Sequence, residues 1–233
     1  MPAVHKRTGK EVLMSILFVL LMFLLIMSIS YFRGVQNQPV VRPEPGVRAQ
    51  APRVERELGF EIPQGYCFHP GHTWVQREGA ENARVGLDSF AGNLIGKIDR
   101  IEVAGPNRWV RQGQKLMTIH GGGVSLDLLS PVEGVVTAVN NDALQDPSLL
   151  TRDPYKDGWV AMVKSPELSL NQKNLVQGTM VAPWMQNNIM RLNGMLSQLS
   201  PALAQDGGLP VVGLLARLNP ELQQKVVKEF FLS

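Results

Sequence analysis

Seven short segments between Gly65 and Ser165 alternate apolar and polar residues, and glycine or proline separates them. This period of two is typical of half-buried strands, because successive side chains of a strand point to opposite faces of a sheet. The predicted strands are Thr73–Val75, Ala83–Leu87, Lys97–Val103, Lys115–Ile119, Ser125–Leu128, Val135–Val139 and Trp159–Val163. Many short strands at this spacing predict a mainly β sandwich or barrel.

The stretch HGGGVSLDLLSPVEG, residues 120–134, predicts a sharp hairpin within this β region. The pair Gly121 and Gly122 can supply the positive φ that a tight turn needs. A short internal repeat flanks the hairpin, since residues 96–101 and 134–139 both follow G-x-[IV]-x-x-[IV]. We therefore expect two related halves around an exposed tip that carries no reactive side chain.

The run from Val12 to Phe32 contains no charged residue and is long enough to cross the hydrocarbon core of a bilayer. A cleaved signal peptide is the alternative, with basic residues before the run and a small-x-small site at residues 28–30. The run is long for a signal peptide, which favours a retained single-pass transmembrane anchor. Basic residues cluster before the run, so we expect a cytoplasmic N-terminus and an extracytoplasmic main domain.

The rest of the chain divides by composition. Four prolines within residues 33–60 predict an extended linker. After Pro166 the apolar residues recur every three to four positions, which predicts amphipathic helices, and Asn219-Pro220-Glu221 is a typical helix start. The predicted organisation is a basic segment at 1–11, an anchor at 12–32, a linker at 33–60, a β domain at 61–168 and a helical extension at 169–233.

The composition excludes several functional classes. The net charge is only +3 and its basic residues are scattered, which argues against a nucleic-acid partner. The single cysteine, Cys67, excludes an internal disulfide. Cys67, His69 and His72 are candidate metal ligands, but their spacing matches no standard zinc pattern, so we predict no metal site.

No enzyme site is predicted either. Ser125 lacks the G-x-S-x-G context of a nucleophile elbow, and no histidine is placed to serve it in a strand-turn-helix setting. The glycines of the hairpin match neither a Walker loop nor a dinucleotide fingerprint, because a strand follows them. We therefore expect no small-molecule substrate.

The order of several motifs resembles the H protein family of the glycine cleavage system. The similar blocks are HPGHTWV at 69–75, RVGLDSFAGNLIGKIDRIEV at 84–103, and a long block at 127–163 that contains DLLSPVEG and DPYKDGW. Together they extend over about 100 residues in the family's order. The resemblance implies a lipoyl-type barrel-sandwich hybrid, with two small antiparallel sheets related by an approximate two-fold axis.

The resemblance also implies where a prosthetic group would sit. In that family the hairpin carries a lysine to which lipoate is attached. When Ser130-Pro131-Val132 is aligned with the family's SPV, Asp127 falls on the family's aspartate and Gly123 falls on the lysine position. Glycine has no amine, so we expect no lipoate and no other cofactor. Lys115 and Lys97 are alternative acceptors, but a modifying ligase reads the apex of the turn.

The sequence therefore predicts a membrane-anchored, non-lipoylated relative of the H protein that acts as a protein-binding or scaffolding module rather than an enzyme. Its expected partners are the bilayer and an unidentified protein, and its candidate contact residues are Trp184, Met185 and Met190. Two alternatives remain: a functioning lipoyl carrier modified on another lysine, and an envelope export adaptor. Adaptors insert a long helical hairpin between lipoyl halves, where this chain has only Gly121–Gly123.

Overall fold

The computed structural model describes residues 9–36, 54–57, 59–199 and 212–231. Contacts divide the chain into two units, Met1–Ala49 and Gln50–Ser233. In the first unit, helix α1 extends over Gly9–Gln36, and its described large apolar side chains between residues 13 and 29 are exposed. No helix in the described part of the chain is long and apolar enough to cross a membrane. The predicted transmembrane anchor at residues 12–32 is therefore not supported.

The second unit contains short strands with short helices between them, and it ends in two longer helices. Its strands are β1 (Val54–Glu57), β2 (Phe60–Pro63), β3 (Tyr66–Phe68), β4 (Thr73–Glu78), β5 (Asn82–Leu87), β6 (Ile98–Val103), β7 (Trp109–Val110), β8 (Lys115–Gly121), β9 (Val124–Leu129), β10 (Gly134–Val139), β11 (Trp159–Lys164) and β12 (Val176–Gln177). Its helices are α2 (Ser89–Ile95), α3 (Asn141–Gln145), α4 (Leu149–Arg152), α5 (Leu168–Gln172), α6 (Val181–Leu199) and α7 (Pro220–Phe231). All seven predicted strands are confirmed.

The strands form two main sheets. A seven-stranded antiparallel sheet has the order β12-β3-β4-β5-β11-β10-β7, and a three-stranded antiparallel sheet has the order β6-β8-β9. The two copies of the internal repeat, residues 96–101 and 134–139, overlap β6 and β10, one in each main sheet. This architecture confirms the mainly β prediction with C-terminal helices.

A hairpin occupies the end of the predicted linker. Strands β1 and β2 pair antiparallel, with Val54 opposite Pro63, inside and just beyond the predicted linker at 33–60. Gly59 in the connecting turn has a φ of 86°, which glycine adopts without strain. The structure thus has a strand, Val54–Glu57, inside the segment predicted as an extended linker. The prolines Pro39, Pro43, Pro45 and Pro52 lie outside the described residues.

The seven-stranded sheet is organised around Trp74, which is fully buried. Its indole N–H donates to the carbonyl oxygens of Leu87 and Pro154, at 2.8 and 3.2 Å. Gly86 lies opposite Trp74 on the neighbouring strand. A Cβ atom at position 86 would lie 2.4 Å from the indole ring, so only glycine lets β5 pass this close to it.

The C-terminal helices continue the core rather than forming a separate layer of their own. Met185, Ile189 and Leu192 of α6 and Phe230 and Phe231 of α7 are all buried. The predicted start of α7 is confirmed, since the Asn219 side chain accepts a hydrogen bond from the Leu222 backbone N–H at 2.9 Å. This packing brings the C-terminal segment onto the three-stranded sheet.

We predict that Gly86→Ala lowers the free energy of unfolding by about 2–3 kcal/mol, because the added methyl group overpacks a core that cannot give way. Gly105→Ala is the matched control, since a Cβ atom there meets open space. Chemical denaturation monitored by tryptophan fluorescence measures both. Equal losses in the two variants would contradict the close contact with Trp74.

Candidate functional site

The hairpin at the predicted tip is a two-residue turn. Gly121 pairs with Val124, which leaves Gly122 and Gly123 as the central residues of the turn. Their φ angles are 61° and 79°. Two consecutive positive φ angles are what a tight turn of the type I′ class requires, and glycine adopts both without a steric penalty. The sequence prediction of a sharp hairpin is confirmed, although the turn lies one residue later than Gly121-Gly122.

The C-terminal segment covers one side of this tip. A Cβ atom on Gly122 would lie 3.3 Å from the Cβ of Leu215 and 3.6 Å from the backbone nitrogen of Ala216. The side-chain amide of Gln223 on α7 donates to the carbonyl oxygens of Leu215, at 2.7 Å, and Gly122, at 3.4 Å. The tip is therefore held by the chain's own C-terminal segment, whereas the sequence suggested a free apex.

Access differs among the three hairpin glycines. Gly121 is buried, Gly122 is half-buried and Gly123 is exposed. A Cβ atom on Gly121 would lie 2.5 Å from the carbonyl oxygen of Lys97, so any other residue would displace β6. At Gly123 the nearest atom would be the Gln223 amide nitrogen at 3.7 Å, an ordinary contact distance. Only Gly123 can offer its position to an external molecule.

A second close approach fixes the C-terminal segment beside the hairpin. A Cβ atom on Gly96 would lie 2.5 Å from the Cα of Gly213, and both glycines have positive φ angles. The backbone N–H of Gly213 also donates to the carbonyl oxygen of Asn93 at 2.8 Å. The segment therefore approaches the end of α2 backbone to backbone before it passes over the tip.

The outward face of the three-stranded sheet contains a hydrogen-bonded network around His120. Its Nδ1 lies 2.8 Å from Ser125 Oγ, and its Nε2 lies 3.3 Å from Glu102 Oε1. Arg100 contacts both His120, at 3.2 Å, and Glu102, at 2.5 Å. The Ser125–His120 pair, which no sequence motif indicated, results from the register across the turn.

The chemistry of this network is that of cross-strand neighbours. Ser125 and Glu102 are exposed on an open sheet face, where water competes for every donor and acceptor. The imidazole bonds the hydroxyl through Nδ1 and the carboxylate through Nε2, the reverse of the usual hydrolase arrangement. The contacts stabilise the pairing of the three strands.

Two lysines near the hairpin differ in position. Lys115 lies at the far end of β8, where its Nζ pairs with Asp127 at 3.0 Å. Burial alone would raise the pKa of the Asp127 carboxyl, but hydrogen bonds from Thr118 and Lys115 outweigh it and the pKa is lowered. Lys97 lies directly beside the tip, since its carbonyl faces Gly121, and its side chain is 90% exposed. No local sequence pattern indicates that Lys97 lies beside the tip.

Cys67, His69 and His72 each have their own local partners. The Cys67 thiol lies 3.5 Å from both Gln177 and Gln172, and burial raises its pKa, which keeps it protonated. The Nδ1 of His69 accepts a hydrogen bond from the Gly71 backbone at 3.0 Å. Burial lowers the pKa of His69, and nearby His72 lowers it further. A lower pKa favours the neutral imidazole, which can accept the hydrogen bond from Gly71 at Nδ1. In the described part of the chain, no three His, Cys, Asp or Glu residues are grouped to hold a metal.

His72 connects the β core to the C-terminal helices. It is fully buried, and its Nδ1 lies 2.7 Å from Asp88 Oδ2. Its ring stacks between Phe90 and Trp184, at centroid distances of 4.4 and 5.1 Å. Asp88 also accepts a hydrogen bond from the Ala91 backbone N–H and thereby caps α2. The predicted candidate His72 is thus a structural residue in the described fold.

The three candidate contact residues of α6 have different surroundings. Met185 is fully buried and lies beyond the reach of a partner. Trp184 is half-buried and lines an open groove of about 550 Å³ together with Met180, Pro183, Asn187 and residues 173–177. Met190 is 63% exposed. The structure therefore leaves Trp184 and Met190 available on the surface of this helix.

Comparisons with known proteins agree on one family. Residues 66–188 match the family described as "Glycine cleavage H-protein". The chain is 30% identical to the glycine cleavage system H protein of Bifidobacterium longum, over 49% of this chain and 85% of that protein. It is 32% identical to the probable glycine cleavage system H protein 2 of Sulfolobus acidocaldarius, over 46% and 74%.

A similar structure is the crystal structure of a glycine cleavage system H protein from Mycobacterium marinum. It is 23% identical in sequence, and its TM-score is 0.47. The match covers 55% of this chain and 98% of that chain. The family match ends at residue 188, so the C-terminal segment that covers the hairpin lies outside it.

We predict that Gln223→Ala loosens the C-terminal segment at the hairpin, because two backbone carbonyls lose their shared donor at a cost of about 1 kcal/mol. Amide hydrogen exchange over residues 212–231 should accelerate by about fivefold. Gln224→Ala is the control, since Gln224 is exposed on the same helix. The same acceleration in both variants would contradict a specific role for Gln223.

Proposed function

Because the chain belongs to the glycine cleavage H-protein family, we propose that it is a non-lipoylated member of that family that binds a protein partner instead of carrying a prosthetic group. The observation that carries this proposal is the hairpin tip. Glycine occupies position 123, and the chain's own C-terminal segment holds the turn from one side. A swinging arm needs an amine at the apex and free space around it.

Membership of the H-protein family supports two further parts of this proposal, which concern the fold and catalysis. The chain has a mainly β fold with C-terminal helices, and we propose for it the barrel-sandwich hybrid form that the sequence resemblance implies. An H protein is a carrier rather than a catalyst, and the network around His120 offers no reason to assign a reaction. We therefore propose no catalytic activity and no small-molecule substrate.

A second candidate function is supported by Lys97. Its side chain is 90% exposed beside the tip, and its contact with Asp99 at 3.3 Å is a surface pair that costs little to break. A lipoyl group on Lys97 would project from the same end of the sheet as one on residue 123. In that case the protein would be a carrier of the glycine cleavage system with a displaced acceptor.

Intact-mass spectrometry of the full chain separates these candidates. We expect a mass without a lipoyl group when the chain is expressed in a host that supplies lipoate and its ligase, with a lipoylated family member co-expressed as the positive control. A lipoyl adduct that Lys97→Arg abolishes would establish the carrier function. An adduct on any other lysine would also overturn the non-lipoylated proposal.

Although no helix among the described residues is long and apolar enough to cross a membrane, we further propose that the whole uncharged segment at residues 12–32 tethers the protein to one, with the N-terminus in the cytoplasm and the main domain outside it. The support is the absence of charged residues between Val12 and Phe32, together with the exposure of the described apolar side chains of α1. An exposed apolar surface of this kind is stable only against another apolar phase. Cleavage after residue 30 as a signal peptide remains the alternative.

Membrane fractionation tests the tether. We expect the full chain to remain in the membrane pellet after an alkaline wash, and Leu20→Lys with Leu24→Lys to release it, because each charge costs about 3 kcal/mol in the bilayer centre. Gln36→Lys with Gln38→Lys is the matched control and should stay in the pellet. Release of the unsubstituted chain, or a mature mass that begins after residue 30, would contradict the tether.

A further inference from the structure

Helix α6 presents an uncharged stripe to the exterior. The exposed residues Met180, Pro183, Asn187, Met190 and Gly194 follow one another at intervals of three and four, so they lie on one face. Met180 ends the 3-10 turn that leads into the helix. Arg191 is the single charged residue of α6, and it already pairs with Glu229 on α7. The exposed large methionines on this stripe have no apolar cover in the described structure.

We propose that this α6 stripe binds the same stripe of a second copy, with the two helices antiparallel about a two-fold axis at Asn187. In this register, Met190 lies three residues after the axis and Trp184 lies three residues before it. Met190 of each copy is therefore opposite Trp184 of the other copy. The same register also places Met180, seven residues before the axis, opposite Gly194, seven residues after it. Because of the two-fold symmetry, each of these two contacts occurs twice in the dimer.

Both contacts join a protruding side chain to a recess. Met190 is 63% exposed, and the groove beside Trp184 has a volume of about 550 Å³. A thioether against an indole ring is a favourable contact. Met180 is 64% exposed, and a Cβ atom on Gly194 would meet nothing within 4 Å, which leaves room above that glycine. Large and small residues therefore match across the axis.

The chemistry of the stripe selects a second copy over an unrelated partner. A two-fold axis brings identical residues together, so like charges on the stripe would repel each other; the stripe carries no charge, and Lys173 is the one charged residue that lines the groove beside Trp184. Asn187 has no hydrogen-bond partner in the described structure, and an amide is self-complementary across a two-fold axis, since each can donate to the other's oxygen. This proposal does not depend on whether the chain is lipoylated.

Disulfide trapping of the full chain in nonionic detergent tests the register. Asn187→Cys lies at the axis and should cross-link rapidly under mild oxidation, because two helices in contact bring their axial residues within disulfide distance. Ser197→Cys is the matched control on the same exposed helix, ten residues away, which puts the two copies about 30 Å apart at that position. Native Cys67 is buried, so the introduced thiol is the accessible one.

The expected result is cross-linking at position 187 and little at position 197. Equal cross-linking at both positions would mean unspecific association, including association through α1, and would overturn the proposal. An absence of cross-linking at position 187 would also overturn it, and capture of a different protein there would assign the stripe to that partner instead.

A charge substitution supplies an independent measurement. Met190→Lys in the Asn187→Cys chain should reduce cross-linking by about tenfold, because the ammonium group would lose water beside the Trp184 ring in a groove that already contains Lys173. Trp109→Lys is the matched control, since it also removes an exposed large apolar residue but lies on β7, at the opposite edge of the seven-stranded sheet. An equal effect of both substitutions, or no effect of Met190→Lys, would contradict the proposed contact.

Discussion

The close passage of the C-terminal segment along α2 and over the hairpin is the contact on which the functional argument depends. Glycines at the close approaches make this passage possible: Gly96 lies against Gly213 of the segment and Gly122 lies against Leu215, while Gly121 lets the hairpin lie against the start of β6. Backbone atoms exclude other residue types at Gly96 and Gly121, where an added Cβ atom would lie 2.5 Å from them, whereas at Gly122 the Cβ of Leu215 would lie 3.3 Å away. Gln223 then joins the segment to the hairpin by one hydrogen bond to the Gly122 carbonyl oxygen, while its other bond, to the Leu215 carbonyl oxygen, orders the segment itself.

The same segment is held at its other end by aromatic packing. Phe230 and Phe231 of α7 lie near the ring of His72, which Trp184 of α6 also contacts. Because Asp88 fixes His72 and caps α2 at the same time, the two C-terminal helices and α2 share one buried polar anchor. The orientation of the α6 stripe and the position of the cover over the hairpin are therefore set by the same group of side chains.

Patterns within short stretches predicted the parts of the fold that depend on local sequence. Period-two alternation located seven strands, and the Asn219-Pro220 signal located the start of α7. The short strands β3, β7 and β12 were missed because two or three residues cannot establish a period, and β1 was hidden by the prolines before it. The sequence pattern also did not predict that Met185 is buried and Met190 exposed. Both fit an apolar helical face, and only the tertiary packing determines which of them is buried.

At the candidate site, the sequence predicted the turn but not its surroundings. The hairpin glycines and the C-terminal segment are about a hundred residues apart, and no local pattern encodes a contact at that separation. The same limit applies to Lys97, which the register of β6 against β8 brings beside Gly121. The Ser125–His120 pair is the exception, because a two-residue turn at Gly122-Gly123 fixes those residues as opposite neighbours once its position is known.

The covered hairpin limits what a substitution at position 123 could achieve. Gly123→Lys would place an amine on the turn, but its side chain would emerge beside Gln223, on a turn whose flank is already occupied. More space around that side chain would need a second change that releases the C-terminal segment, and that change would expose Leu214, Leu215 and Phe230 to water. A flexible side chain at the tip and a well-packed C-terminal segment are therefore competing demands on the same few residues.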